Sequence, residues 1–481
     1  MIDSLWPHQQ EAVAFAAQRK ATMLSCGMGT GKTRMALALR HAKQCRRTLI
    51  VAPLGVVTDG GWQRQAAAVD PRLAVVSLQG SNAERAEHLR WLLGQQVLSD
   101  AERPLAVVVN WDALRDKTLH SALLRAQFDL IVFDESHRAK GHDSAQSRAA
   151  YKLAKDSMKR GGLRLCLTGT PMPHSPLDLF AQMRLLDESL FGTSYYAFKQ
   201  RYAVLDTRHG FPKVVGYRDR EDMVARMRRV TYEVDRSVLR LPDAIHTEVM
   251  VDLPPKAREV YTAAQQAIAI EIADKVHLEP TEALVRVLRL QQLTSGFAVG
   301  TVAGIDGLVE ERRTIHDIHG AKLDALRELL DMAGAEPVVV FARFRRDLDR
   351  IHEAVAQSGL TSLELSGEKK QHPDWRDGKA QVLVVQIRAG SEGVDLTRAA
   401  ICVYYSATHS LGDYEQSLAR VHRPGQTRTT YYYHLVVRDS VDGIMRKALD
   451  AKRDVVAGVL AELRRQVTQQ TAAPSPDDYR P

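Results

Sequence analysis

Seven residues near the start of the chain, Gly27-Met28-Gly29-Thr30-Gly31-Lys32-Thr33, have the types and spacing that hold a phosphate. Successive glycines let backbone N–H groups curl around phosphate oxygens where a side chain would collide. A helix beginning near Lys32 points its positive end at the same anion. In that arrangement Lys32 neutralises the β/γ-phosphates of a nucleoside triphosphate, and the Thr33 hydroxyl ligates Mg2+. A Gly-rich turn without a ligand is the bland alternative, and the GKT ending weighs against it. The strict pattern has Gly where this chain has Cys26.

Asp134-Glu135-Ser136-His137 follows the apolar run Leu130–Phe133, at the C-terminal end of a predicted strand. Parallel sheets bind ligands at that end. Asp134 can hold Mg2+ directly or through water, and Glu135 is placed to orient and deprotonate an attacking water. Arg420 and Arg423, within QSLARVHRPGQ, are three apart and predict one face of a helix. Two guanidinium groups so spaced can meet a triphosphate across a cleft, where an arginine finger contributes ~10³–10⁵ in rate. Taken singly, the acidic box reads as a solvated turn and the arginines as a basic surface helix. Their occurrence together in one chain favours the chemistry.

The elements that must position these residues are short β-branched runs in two groups. The first is Thr48–Pro53, Leu105–Val109, Asp129–Phe133 and Leu163–Thr168. The second is Pro337–Phe341, Thr361–Leu365, Val382–Gln386, Ile401–Tyr405 and Thr430–Val437. Continuous apolar strands alternating with helices predict parallel sheets covered on both faces, hence an α/β chain with two lobes. Between the groups few strand-like runs occur, and a mostly helical insertion with a connector is expected. An apolar stripe from Val441 to Leu463 predicts a core-facing amphipathic helix, followed by a polar tail expected to be disordered.

The 481 residues allow two to four domains. With 45% hydrophobic and 26% charged residues the chain is not mainly disordered. The formal charge of +8 permits a nucleic-acid partner without proving one. No apolar run approaches membrane-spanning length, and the first residues lack a signal-peptide pattern. Four scattered cysteines without a CxxC pair argue against a zinc site or a disulfide framework. A soluble protein of a reducing compartment is expected. His316 and His319 are too few for a metal site.

With these motifs in order, the sequence resembles the Swi/Snf-type ATPases of superfamily 2 helicases, from Leu5 to about Val459. LWPHQ looks like the family's adenine-reading motif, which makes Gln9 the base contact. GMGTGKT resembles motif I, LIVAP motif Ia, VVVNWDAL the following nucleic-acid motif, DESH motif II and Leu167–Pro171 motif III. VVVFARF resembles motif IV, residues 386–397 motif V, and the arginine segment motif VI, with Arg420 and Arg423 at its finger positions. The stretch from Ser175 resembles the family's helical protrusion, KLDALRELLD its linker and the final helix its brace. Ser25-Cys26 departs from the usual acidic pair, His174 replaces a common Asn, and the region after Ser366-Gly367 looks shortened.

The resemblance implies two RecA-like parallel-sheet lobes with a helical insertion and a C-terminal brace helix. It divides the chain into lobe 1 (1–172), protrusion and connector (173–318), lobe 2 (319–439), brace (440–465) and tail (466–481). It implies ATP and Mg2+ as cofactors and duplex DNA as partner, with hydrolysis driving movement along DNA, usually without strand separation. Thr168 and Thr170 would couple the ATP site to DNA. Arg343, Arg345 and Arg346 read either as phosphate contacts or as a solvated basic loop, and Arg226, Arg228 and Arg229 as surface. A strand-separating DNA or RNA helicase and an ATP-gated clamp use the same motifs and stay open. A monomeric bacterial or viral protein, in the bacterial cytoplasm or an infected cell, is expected.

Overall fold

The computed structural model describes residues 5–58, 60–98, 103–139, 141–169, 171–172, 175–206, 212–274, 280–302, 312–390, 394–451 and 455–471. Thr170, His174 and residues 391–393 of the motif V segment lie outside them, as does the tail beyond 471. The chain forms two compact units, residues 1–240 and 241–481.

The first unit contains β1 (Ala21–Cys26), β2 (Arg47–Ala52), β3 (Ala74–Ser77), β4 (Leu105–Asn110), β5 (Leu130–Asp134) and β6 (Leu163–Thr168). An antiparallel hairpin, β7 (Ala203–Asp206) and β8 (Lys213–Tyr217), precedes β9 (Thr231–Val234). Seven strands make a parallel sheet in the order β3-β4-β2-β5-β6-β1-β9. Its central strands are apolar throughout because both faces are covered. Leu49 and Val51 of β2 enter one core, and Ile50 and Ala52 enter the other, as a period of two requires.

The second unit contains β10 (Ala244–Val251), an antiparallel hairpin of β11 (Phe297–Val302) and β12 (Arg312–Asp317), then β13 (Val338–Ala342), β14 (Ser362–Leu365), β15 (Val382–Gln386), β16 (Ile401–Tyr404) and β17 (Thr430–Val437). Six of them form a parallel sheet in the order β10-β17-β16-β13-β15-β14. Two parallel sheets with flanking helices are the expected α/β architecture.

The sheets hold more strands than the sequence pattern marks. β3, β9 and β10 are edge strands, where a continuous apolar run is not required. β9, β10 and both hairpins lie largely within the segment expected to be mostly helical, beside its helices Leu179–Leu186, Pro255–Asp274 and Pro280–Ser295. β1 is interior, yet ATMLSC contains a single β-branched residue, so its signal is weak. The C-terminal apolar stripe is divided between two helices, Val441–Asp450 and Val455–Thr471, whose Val441, Met445, Leu449, Val455, Val459 and Leu463 are buried in the core of the second unit.

Candidate nucleotide site

β5, β6 and β1 lie side by side, and their registers pair Asp134 with Leu167 and Thr168 with Ser25. The loops leaving all three therefore emerge at one edge. After β1 the chain turns through Gly29 (φ 84°) and Gly31 (φ 88°) into the helix Lys32–Ala42. Both angles are left-handed, which suits glycine. A Cβ on Gly31 would come within 2.3 Å of Gln9 Nε2. The first N–H groups of the helix have no intrahelical acceptor by construction, so an anion is favoured there. Met28 is half-buried in the loop. Thr30, fully buried, donates its hydroxyl to Gly27 O at 2.8 Å and stiffens the loop.

Lys32 Nζ donates to Cys26 O at 2.9 Å. Thr33, next along the helix, is half-buried. Gln9 is buried beneath the loop: Nε2 donates to Thr30 O at 2.9 Å and Oε1 accepts from Trp6 N at 3.1 Å. His8 Nε2 lies 3.0 Å from the same Thr30 carbonyl. The segment read as base-contacting is thus fastened to the phosphate loop.

Asp134 ends β5 and is buried. Burial, and then the charge of Glu135, push its carboxyl well above the usual carboxylate range, while Lys32 pulls it down. Among the described residues no ion pair joins Lys32 to Asp134 or Glu135. Glu135 has φ 49°, a strained left-handed conformation for a residue with a side chain. His137 Nδ1 lies 3.3 Å from a Glu135 carboxylate oxygen and 3.2 Å from Thr168 Oγ1. The acidic box therefore meets the end of β6 through one imidazole.

These residues suit a magnesium-bound triphosphate. Among the described residues no group of three or more His, Cys, Asp or Glu can hold a metal by itself. Mg2+ usually takes one or two protein ligands and completes its shell with water and phosphate oxygens. The Thr33 hydroxyl and the Asp134 carboxylate match that demand.

Two residues that hold the box gave no sequence signal. Trp111, 1% exposed, donates Nε1–H to Asp134 O at 2.8 Å. Gln182 accepts from Ser136 Oγ at 3.0 Å. Trp111 lies in the segment matched to a nucleic-acid motif and Gln182 in the expected protrusion, yet nothing local predicts either bond.

In the second unit Arg420 belongs to the helix Leu411–Val421, whereas Arg423 lies past its end. The two do not share a helical face, which corrects the expectation. His422 already leaves the helical region (ψ 83°), and Arg423, the residue before Pro424, is disfavoured there. Arg423-Pro424-Gly425-Gln426 forms a turn closed by Gln426 N to Arg423 O at 2.9 Å, with Gly425 at φ 106°. Buried Gln426 donates to Ala399 O at 2.8 Å, and Arg423 Nη1 donates to Val394 O at 3.3 Å. The turn is thereby clipped to the motif V segment.

The remaining basic residues are largely committed locally. Arg345 pairs with Glu368, Arg346 with Asp317 and Arg226 with Asp222. Arg343 is half-buried, and burial, then Arg388, bring its guanidinium down to about 10. His319 Nε2 lies 2.8 Å from Leu293 O, an ordinary structural contact.

Residues 8–293 match the SNF2-related domain, and residues 321–425 match the helicase conserved C-terminal domain. A protein named p41 from Acyrthosiphon pisum secondary endosymbiont phage 1 is 24% identical, covering 96% of this chain and 98% of the relative. A Caenorhabditis elegans homolog of the SWI/SNF-related matrix-associated actin-dependent regulator of chromatin subfamily A-like protein 1 is 25% identical, covering 95% of this chain. The chain spans 62% of that relative, and 58% and 44% of its Drosophila melanogaster and Xenopus tropicalis counterparts. The Hef helicase domain of Pyrococcus furiosus shares the fold, with a TM-score of 0.54, 14% identity, and coverage of 92% of this chain and 97% of that one. An SNF2-related match spanning more than half the sequence, with a helicase C-terminal match beyond it, places the chain in the SNF2-related family of helicase-like ATPases.

Proposed function

We propose that the chain is an ATP-dependent duplex-DNA translocase, coupling hydrolysis to tracking along DNA or remodelling DNA–protein complexes. The observation that carries the reading is the convergence of the phosphate loop, the acidic box and the end of β6 at one sheet edge. Lys32 and the loop amides bind the phosphates, Thr33 and Asp134 hold Mg2+, and Glu135 orients and deprotonates water. Gln9 reads the base. Arg420 and Arg423 belong to the other compact unit, so turnover in this reading requires the two units to act together. Bound Mg2+ supplies charge neutralisation at the phosphates. Residues 1–172 and 319–439 act as lobes, to whose sheets β9 and β10 are added, the rest of 173–318 as protrusion and connector, and 440–465 as brace. Among the described residues no helix is long and apolar enough to cross a membrane. The chain acts as a monomer in a bacterial cytoplasm or an infected host cell.

Duplex DNA should stimulate ATP turnover more than single-stranded DNA or RNA, and binding should weaken steeply with salt. The translocase should displace the third strand of a triplex and leave a forked duplex largely paired. Efficient fork opening replaces the reading with a strand-separating helicase. Stimulation without triplex displacement replaces it with a clamp, and stimulation by RNA alone ends the DNA assignment.

A further inference from the structure

The helix Leu179–Leu186 is buried along almost its whole length, and its one buried amide, Gln182, is fully enclosed at 0% exposure. Its neighbours Leu179, Phe180, Ala181, Met183, Leu185 and Leu186 are apolar and buried. Packing alone would be served by leucine or methionine, because an enclosed amide is costly unless bonded. Each polar atom of Gln182 is bonded, and two of its three partners, Ser136 and Pro171, adjoin the nucleotide site. Oε1 accepts from Ser136 Oγ at 3.0 Å, and Ser136 is itself 0% exposed. Nε2 donates to Pro171 O at 2.6 Å and to Asp178 O at 3.0 Å.

Those bonds fall on either side of the chemistry. Ser136 follows Glu135, the residue in left-handed conformation, and Trp111 Nε1–H holds the carbonyl of Asp134 just before it. The strained glutamate is thus clamped at both flanks by buried side chains. Pro171 follows the segment that leaves β6, where a Cβ on Gly169 would sit 3.8 Å from Lys32 Nζ. A shift of that segment that keeps the Gln182–Pro171 bond displaces Gln182 and so pulls on its bond to Ser136.

We propose that Gln182 is a positioning residue that ties the attitude of Glu135 to the segment after β6, so that a change in one is felt by the other. The proposal rests on the translocase reading, in which the end of β6 responds to DNA. Gln182 touches no reacting atom; it acts through Ser136.

The test uses the full chain with Q182M, which keeps the volume and removes all three bonds, and with S136A, which cuts the link from the other end. Turnover at saturating duplex DNA, affinity for a non-hydrolysable ATP analogue and thermal midpoint are measured together. Both variants should lose roughly tenfold in kcat while analogue affinity stays within about twofold, the split expected of a group felt in the transition state. Thermal midpoints should move by only a few degrees, and the double variant should be no slower than the slower single, because the residues act as one unit. Wild-type turnover in S136A overturns the proposal, since that variant leaves the Gln182–Pro171 bond in place. Parallel loss of rate, affinity and thermal midpoint in both variants also overturns it, as the mark of a structural role. A wild-type chain that ignores duplex DNA removes the translocase reading and the proposal together; a responsive wild type with equally responsive variants removes the proposal alone.

Discussion

Each unit brings a lysine near an aspartate in its interior, and the two encounters are built in opposite ways. In the second unit Lys322 Nζ lies 2.6 Å from Asp442 Oδ2, with side chains 1% and 4% exposed. Lys322 also donates to Tyr405 O at 3.1 Å, and Asp442 accepts from Thr294 Oγ1 at 2.9 Å and from Val437 N at 3.3 Å. Nothing of that charge remains for a ligand. The pair joins the ends of three helices, Pro280–Ser295, Ala321–Ala333 and Val441–Asp450. In the first unit Lys32 rests on a carbonyl, Asp134 is lifted in pKa by burial and by Glu135, and Glu135 is strained. Charge satisfied within the protein holds a fold together, whereas charge left unsatisfied awaits a partner that carries its own.

The largest effect that can break this contrast is on turnover. Lys32→Ala should lower ATPase activity at saturating DNA by roughly a thousandfold, since it removes a preorganised charge from the phosphates. Glu135→Gln should slow hydrolysis comparably while ATP binding survives, as equilibrium binding of labelled nucleotide would show. Hydrolysis at the wild-type rate in Glu135→Gln would remove that carboxylate from its role.

Lys322→Met should act on stability instead. It strands a buried carboxylate, at ~3–5 kcal/mol in equilibrium unfolding by urea. Combining it with Asp442→Leu should recover most of the loss, because a buried pair exchanged for apolar groups is often nearly neutral. A double variant as unstable as the single would mean that the pair's hydrogen bonds, rather than its stranded charge, carry the stability.

The smallest effect sharpens the contrast within one unit. Asp347 is buried, its carboxylate accepting from Ser406 Oγ at 2.6 Å, and burial pushes its carboxyl up to about 6. The folded state therefore holds this proton more tightly than the unfolded chain does. The stability it contributes is complete below the unfolded value of about 3.9 and is lost as pH rises through about 6. Asp347→Asn should flatten the stability profile across that window by an amount on the order of 2 kcal/mol. Thermal midpoints of both proteins from pH 4 to 7 measure it, and an unchanged slope would exclude Asp347 as its source.

The parts of the site legible in the sequence are those whose geometry is local. Gly29 and Gly31 must allow left-handed turns before a helix, and residues 27–33 say so by themselves. Arg423-Pro424-Gly425-Gln426 is likewise a turn written in its own four residues, although the helix expected to carry Arg423 ends before it, at Val421. Apolar runs identified the interior strands because both faces of a parallel sheet are buried, but β9 and β10 at the edges escaped that rule, and β1 escaped it inside the sheet. The clamps around Glu135 were beyond reach. Trp111 and Asp134 are 23 residues apart, Ser136 and Gln182 are 46 apart, and Lys322 meets Tyr405 across 83. A tryptophan, a glutamine or a lysine declares no partner in its own neighbourhood; the order of strands in the sheet and the packing of helices over it select the atom that each one meets. The residue types and spacing thus determined the chemistry available at the loop edge, and only the tertiary structure decided which buried side chains hold that chemistry in place, because hydrogen bonds between distant segments exist only after the sheet has assembled.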